Sequence, residues 1–209
     1  MVVTLSAAYG AGGSQVGPRL AEELGVPFVD RAIATEVATQ LAMPVDDALA
    51  RDDSGPTALD RLLRSLAAVG PMTGVDLTAD FGSLSFAEAT EQVIRRHADT
   101  TGGVILGRAG AVVLAGRPGT LHVRLSGPVP RRVEQAMRVE GIDRRAAERR
   151  VADNDAAREA YVRSFYGVHP TDPALYHMVL DSTALPLDEC ATLIARAARS
   201  LRVGSPAEA

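Results

Sequence analysis

Five short apolar runs along the chain predict buried β-strands. Most of them are continuous patches of Val, Ile and Leu, which is typical of parallel strands covered on both faces. The runs lie at residues 2–7, 26–29, 104–106, 121–125 and 178–180.

Helical patterns separate these runs, with apolar residues recurring every three or four positions. They span residues 16–24, 86–97, 130–139, 144–164 and 188–201. Before the second pattern, Ser85 and Glu88 form a capping-box signature that predicts the start of that helix. Because strands alternate with helices, the sequence predicts an α/β fold with one five-stranded parallel sheet and helices on both faces.

The 209 residues are few enough for one domain, which we expect to span residues 1–203. The interval 44–85 contains Gly-Pro pairs and breaks the strand–helix alternation, so it is interpreted as a mobile insertion. The arginine-rich patterns at 131–166 are interpreted as a helical lid, and residues 204–209 as a disordered tail.

Charge and composition exclude several function classes. All 22 basic residues are arginine, and 26 acidic residues give a net charge of −4, so no overall basic field exists to hold nucleic acid. No run approaches the ~20 apolar residues of a bilayer span, and the chain starts without a signal sequence. We therefore expect a cytoplasmic protein that binds neither nucleic acid nor membrane, with its single cysteine, Cys190, buried.

The first apolar run leads into a glycine-rich turn, residues 9–17, and then into a helix. Such a turn lets backbone N–H groups converge, and the helix adds partial positive charge at its amino end. This pattern favours phosphate binding, with a tight turn that binds nothing as the alternative. It does not fit the dinucleotide fingerprint, because Gln15 stands where Gly or Ala is required, nor the standard phosphate loop, because Gly13 stands where lysine belongs.

With these residues the chain resembles the cytidylate kinase-like family of P-loop nucleoside monophosphate kinases. The stretch Tyr9-Gly10-Ala11-Gly12-Gly13 is similar to the Tyr-Gly-Ser-Gly-Gly loop of a divergent branch that also lacks the lysine. Residues 20–31 are similar to the helix and second strand that follow this loop, and residues 172–185 to the last strand and its exit. The resemblance covers most of the chain apart from the insertion.

The resemblance implies an ATP-dependent phosphotransferase that uses Mg²⁺ and acts on a nucleoside monophosphate or a similar phosphate acceptor. Gly107 and Arg108 match the family's phosphate-binding arginine, although Ala109 replaces the aspartate that follows it. Asp155 and Arg158 match the pair that holds the monophosphate, whereas by itself this spacing is more typical of a surface salt bridge. The implied phosphate-binding residues of the turn are Tyr9, Gly10, Ala11, Gly12, Gly13, Ser14 and Gln15.

In the absence of lysine, arginine must neutralise the transferred phosphate. The preferred assignment places Arg108 and Arg158 at the acceptor phosphate. Mg²⁺ would be held by the donor phosphates, with Ser14 as an oxygen ligand and Asp30 as a partner through water; Asp30 is equally suited to cap a helix over 31–42. In this assignment the helical lid would supply Arg149 or Arg150. The arginines that could replace the missing lysine are Arg19, Arg31, Arg108, Arg149, Arg150 and Arg158.

Two functions therefore stay open from the sequence. The first is the phosphotransferase, and the second is a catalytically silent nucleotide-binding relative that serves as a sensor or assembly partner. The missing lysine and Ala109 favour the second, while the glycine turn, Arg108 and the pair Asp155–Arg158 favour the first. A homodimer is the assembly kept open beside the small-molecule partner.

Overall fold

The computed structural model describes residues 1–30, 33, 36–37 and 77–203. Five strands form one sheet in the order β2-β3-β1-β4-β5, and every neighbouring pair is parallel. The predicted five-stranded parallel sheet is thus confirmed. The strands are β1 Val2–Ala7, β2 Phe28–Val29, β3 Gly103–Leu106, β4 Thr120–Ser126 and β5 Met178–Asp181.

Six helices and one 3₁₀ turn occur in the described part of the chain. The two shortest of these helical elements, α3 and the 3₁₀ turn, were not predicted, because a single turn is too short to show a periodic apolar pattern. The helices are α1 Gly13–Leu24, α2 Leu77–Asp99, α3 Gly110–Val113, α4 Val129–Glu140, α5 Arg144–Tyr166 and α6 Leu187–Val203, with the 3₁₀ turn at Pro173–Leu175.

Several element boundaries differ from the sequence prediction, and the starts of β2 and α2 are two of them. Strand β2 begins at Phe28 because Val26 still donates its N–H to Ala21 at the end of α1, and Pro27 has no N–H to give to a ladder. The predicted helix start at Ser85 is wrong, since α2 begins at Leu77. Most of the interval 44–85 lies outside the described residues, as does the tail 204–209.

Two apolar layers sandwich the sheet. On one face, Val3 and Leu5 of β1 and Val123 of β4 pack with helices α1 and α6, where Ile194 and Cys190 are fully buried. On the other face, Ile105 of β3 packs against α2 and α3. The burial of Cys190 confirms its predicted role as a small core residue.

The second face turns polar where β1 meets β4. Thr4 of β1 and His122 of β4 are both buried, and Thr4 Oγ1 lies 2.8 Å from His122 Nδ1. Burial lowers the pKa of His122, and the neighbouring His177 ring adds to the effect. Buried polar side chains need hydrogen-bond partners. Farther along β1 and β4, this polar face lines the cleft described below.

Within the described residues, no helix is both long and apolar enough to cross a bilayer.

Truncation of the α6 side chain that fills the first layer should destabilise the fold strongly. Ile194→Ala removes a fully buried side chain, and a loss of about 2–5 kcal/mol in the free energy of unfolding is expected from the cavity. The matched control is Leu201→Ala on the same helix, because Leu201 is 41% exposed. Urea denaturation of both variants measures the difference, and equal losses would contradict the packing of α6 against the sheet.

Candidate functional site

A cleft of about 680 Å³ lies at the carboxyl ends of β1 and β3 and extends over the polar face of β1 and β4 toward α5. In parallel sheets this edge is the usual ligand position, because loops from several strands converge there. The cleft contains the β1–α1 turn, the residues after β3 and part of α5. It therefore brings together segments that are far apart in the sequence.

The β1–α1 turn, here called the glycine loop (residues 8–12), has a conformation that requires glycine. Gly10 and Gly12 have φ angles of +75° and +77°, a region that side chains disfavour. A Cβ atom at Gly10 would lie 2.4 Å from the Arg132 carbonyl oxygen, and one at Gly12 would lie 2.6 Å from Leu187 Cδ2. The loop is thus pressed against α4 on one side and the start of α6 on the other.

Next to the glycine loop, the first residues of α1 present backbone N–H groups to the cleft. Gly12 is the N-cap of α1 and offers no side chain to it, while the N–H groups of Gly13 and Ser14 have no acceptor within the described part of the chain. Gly10, Gly12, Gly13 and Ser14 all line the cleft. Free N–H groups and the positive end of the helix make this corner attractive to an anion.

Two other residues of the predicted loop face elsewhere. Ala11 is fully buried, its N–H donates to the Ala8 carbonyl, and its own carbonyl accepts from Ser182 Oγ at 2.7 Å. Gln15 is not among the described residues that line the cleft. Ala11 thus helps to hold the loop in place. Phosphate contact through either residue remains a prediction from the resemblance.

Asp155 of α5 reaches the glycine loop itself. Its Oδ1 accepts the N–H of Tyr9 at 3.0 Å, and its Oδ2 accepts from Arg132 Nη1 at 2.7 Å. The Arg132 side chain, only 7% exposed, also donates to the carbonyls of Tyr9 and Gly127. One loop amide is therefore occupied by the protein's own carboxylate, and Asp155 faces the loop.

A second polar contact ties the outer rim of the loop to helices α4 and α5. Glu140 Oε2 accepts from the Tyr9 hydroxyl at 2.5 Å and from Arg150 Nη1 at 2.5 Å. Burial, followed by the contact with Glu140, raises the pKa of Tyr9. Arg150 is thereby held at the rim of the cleft, whereas Arg149 is exposed on α5 and is not among the described residues that line the cleft.

Arg108 follows β3 and lies inside the cleft. Its φ angle and that of Ala109 are both +53°, so two consecutive non-glycine residues are left-handed, a costly arrangement that concentrates at functional sites. The Arg108 side chain is 19% exposed, and its Nη2 lies 3.7 Å from Asp30 Oδ1. Arg108 and Asp30, both predicted site residues, are thus brought together.

Arg158 of α5 extends to the end of β1. Its Nη1 donates to the Ala7 carbonyl at 2.8 Å. Although the side chain is open to the cleft, enclosure by the cleft walls lowers its pKa; Asp155 opposes that shift, and the charges of Arg108 and Arg124 add to it. The cleft therefore holds several guanidinium groups close enough to repel one another.

Two functional candidates were missed by sequence reasoning. Arg132 fixes the glycine loop, and its position in an exposed-looking amphipathic helix gave no signal of burial. Arg124 lines the cleft from β4, and here a signal existed, because an arginine inside an otherwise apolar central strand needs a reason.

The remaining predicted residues are placed as follows. Ser14 is exposed to the cleft and Asp30 lies on its wall, so both can reach a metal ion held by ligand phosphates. Among the described residues no group of three or more His, Cys, Asp or Glu could hold a metal without such a ligand. Arg19 pairs with Asp188 on the exposed surface, and Arg31 lies outside the described residues.

Removal of the Asp155 carboxylate should loosen α5 from the glycine loop. Asp155→Ala leaves the buried Arg132 guanidinium and the Tyr9 amide without their acceptor, so we expect a loss of about 1–3 kcal/mol in the free energy of unfolding. The control is Asp153→Ala, an exposed acid on the same helix. Chemical denaturation compares the two, and a similar, small effect of both substitutions would show that the contact contributes nothing.

Comparison with known sequences gives two relatives of similar identity. Cytidylate kinase from Methanopyrus kandleri is 28% identical over 204 residues, which cover 93% of this chain and 91% of that protein. Uronate isomerase from Corynebacterium glutamicum is 28% identical over 146 residues, which cover 69% of this chain. The matched region is only 28% of the isomerase, so this chain spans little more than a quarter of that relative.

Solved structures show the same fold at low identity. An uncharacterized protein from Eubacterium ventriosum superposes with a TM-score of 0.69 at 17% identity, covering 96% of this chain and 99% of its own. Shikimate kinase from Bacteroides thetaiotaomicron gives a TM-score of 0.53 at 12% identity, with 95% and 98% covered. The family model described as "Cytidylate kinase-like family" matches residues 2–184. Since that match covers most of the chain, the protein belongs to the cytidylate kinase-like family.

Proposed function

We propose that the protein is an ATP-dependent phosphotransferase that moves the γ-phosphoryl group to a nucleoside monophosphate or a similarly sized phosphate acceptor. The observation that carries the proposal is that two kinds of anion-binding group line the same cleft. The free amides at the start of α1 lie on one side, and the guanidinium groups of Arg108 and Arg158 line the same space.

The donor phosphates would bind at the glycine loop. Gly12, Gly13 and Ser14 line the cleft where α1 begins, so backbone N–H groups and the helix dipole act on the same anion. The contacts of the loop with Arg132 and Leu187 hold it in shape before any ligand arrives. A preformed loop spares the ligand the entropy cost of ordering it.

The acceptor phosphate would bind to Arg108 and Arg158. Phosphoryl transfer depends on positioning and on neutralising the charge of the transferred group, and guanidinium binds phosphate through two parallel hydrogen bonds. Arg132 cannot serve here, because its guanidinium is bound to Asp155 and to backbone carbonyls. Arg150, held at the loop rim by Glu140, is better placed than Arg149 to act as the lid arginine.

A magnesium ion fits this donor set only together with the ligand. Mg²⁺ keeps most of its waters and binds one or two protein oxygens plus substrate phosphates, and the cleft offers the Ser14 hydroxyl and the Asp30 carboxylate. When bound, the ion would neutralise charge on the donor phosphates. Asp30 also lies beside Arg108, so it orients that guanidinium toward the acceptor.

The proposed acceptor class rests on family membership and on the curated relative that aligns over nearly its full length, a cytidylate kinase. Two features support a broader acceptor than cytidylate. Val151 and Asn154 occupy positions of α5 where the resemblance leads us to expect lid arginines, and Ala109 replaces an aspartate. The acceptor is therefore proposed as a phosphate-bearing compound of nucleotide size.

The second candidate is a nucleotide-binding protein without catalytic activity. It is favoured by the absence of lysine from the whole chain and by Asp155, whose carboxylate occupies the Tyr9 amide. Both candidates require binding at the glycine loop, and they differ only in turnover.

Incubation of the protein with ATP, Mg²⁺ and a panel of nucleoside monophosphates should release ADP with at least one acceptor. Arg108→Ala should lower kcat/KM by about 100-fold or more, because a donor to the transferred charge is lost. Arg138→Ala removes an exposed arginine outside the cleft and should leave kcat/KM unchanged. ADP and products are followed by chromatography.

The same reactions separate the two candidates. ATP binding in calorimetry without turnover of any acceptor supports the catalytically silent protein. If neither ATP nor any monophosphate binds or raises the melting temperature, both candidates are wrong, since a ligand of the folded state must stabilise it.

A further inference from the structure

Arg124 is a charged residue in the middle of an apolar strand. Leu121, Val123 and Leu125 of β4 all belong to the core layer under α1 and α6. Because successive side chains of a strand alternate between faces, Arg124 lies on the opposite face. There it forms part of the cleft wall together with residues of α5.

The Arg124 guanidinium is held in a fixed orientation. Its Nη1 donates to the Pro170 carbonyl at 2.7 Å, and its central carbon lies 5.7 Å from the centre of the Tyr176 ring. The Tyr176 hydroxyl donates to the same Pro170 carbonyl at 2.7 Å. A guanidinium immobilised in this way loses little further freedom when it binds a ligand.

Most of the donor capacity of Arg124 remains unused. Its Nε and Nη2 have no hydrogen-bond acceptor in the part of the chain that the structure describes, and neither is sealed off from the cleft. No carboxylate of the described residues lies within 4 Å of the guanidinium groups of Arg124 or Arg158. Neighbouring positive charges in an enclosed space without counter-ions are costly unless an anion joins them.

The position of Arg124 separates it from the glycine loop. In the sheet it pairs with Ser6, two residues before Ala8, where the loop begins. At ~3.3 Å per strand residue, Arg124 lies roughly 7 Å along the cleft floor from the start of the loop. One phosphate at the loop end of the cleft would therefore leave Arg124 to a different anionic group.

We propose that Arg124, supported by Tyr176, forms a subsite for a second anionic group of the acceptor, a carboxylate or a phosphate. The acceptor class is then a small compound with a phosphate at one end and another anion a short distance away. This inference rests on the proposed function, because it takes the cleft to be the acceptor site. The unused N–H donors of Arg124 suit a carboxylate or a phosphate, because a guanidinium can bind either group through two parallel hydrogen bonds.

Matched probes on a three-carbon skeleton test the subsite. Glycerol 3-phosphate carries one anionic group, 3-phosphoglycerate adds a carboxylate, and 2,3-bisphosphoglycerate adds a carboxylate and a second phosphate. Dissociation constants are measured by calorimetry on the full chain, as wild type, Arg124→Met, Arg124→Lys and Arg196→Met. Arg196 is an exposed arginine of α6 on the other face of the sheet, so its substitution removes equal charge far from the cleft.

The wild-type protein should bind at least one of the two polyanionic probes about 10-fold or more tightly than glycerol 3-phosphate. Arg124→Met should abolish that advantage while leaving glycerol 3-phosphate affinity within about 2-fold, and Arg124→Lys should keep part of it. Arg196→Met should behave as wild type. A preference for 3-phosphoglycerate that 2,3-bisphosphoglycerate does not increase identifies a carboxylate as the second anion; a further gain with the bisphosphate identifies a phosphate.

Four results would overturn the proposal. An equal advantage of the polyanionic probes in wild type and Arg124→Met shows that another group binds the second anion. An equal loss of affinity for all three probes in Arg124→Met shows that Arg124 only supports the fold around Pro170. If Arg124→Met is unstable, the same comparison is made with Arg124→Lys. If the wild-type protein binds glycerol 3-phosphate as tightly as the other two probes, only the subsite proposal is wrong. If ATP and every probe fail to bind, the proposed function is wrong as well.

Discussion

The Asp155 carboxylate, together with its partner Arg132, organises the candidate site, because their contacts join three segments. It accepts hydrogen bonds from the Tyr9 amide of the glycine loop and from the Arg132 side chain of α4, and it belongs to α5. Breaking a largely buried charge pair leaves a guanidinium without a counter-ion, which costs more than the pair gains when intact. This contact therefore helps to hold the loop, α4 and α5 in their mutual positions, in addition to the contacts of Glu140 with Tyr9 and Arg150.

The electrostatic consequence is an uneven distribution of arginines. Arg132 is neutralised by Asp155 and supports the loop, while Arg150 is paired with Glu140 at the loop rim. Arg124 and Arg158 line the cleft without such a partner within 4 Å among the described residues. A chain without lysine has thus divided its arginines between supporting the loop and presenting positive charge to a ligand, and a rigid fork suits both tasks better than a flexible ammonium group.

The sheet could be predicted from the sequence because continuous Val, Ile and Leu runs have few alternatives in a chain with interspersed helical patterns. The helix start at Ser85 could not be, since a capping-box signature also occurs by chance inside a helix and Gly82 does not suffice to break one. Arg108 and Arg158 were found through the resemblance, and the cleft contains both. Arg132 escaped prediction because its burial depends on contacts with residues 9 and 155, which are distant from it in sequence.

The carbonyl of Ala11 accepts a hydrogen bond from Ser182, and the methyl groups of Leu187 leave Gly12 no room for a side chain. The glycine loop is consequently shaped by residues that lie more than 170 positions later in the chain. During synthesis every residue of the glycine loop leaves the ribosome long before the strand and helix that support it. A nascent or truncated protein ending before residue 182 would carry the complete turn and all the cleft arginines, yet would lack the support that gives them a common geometry.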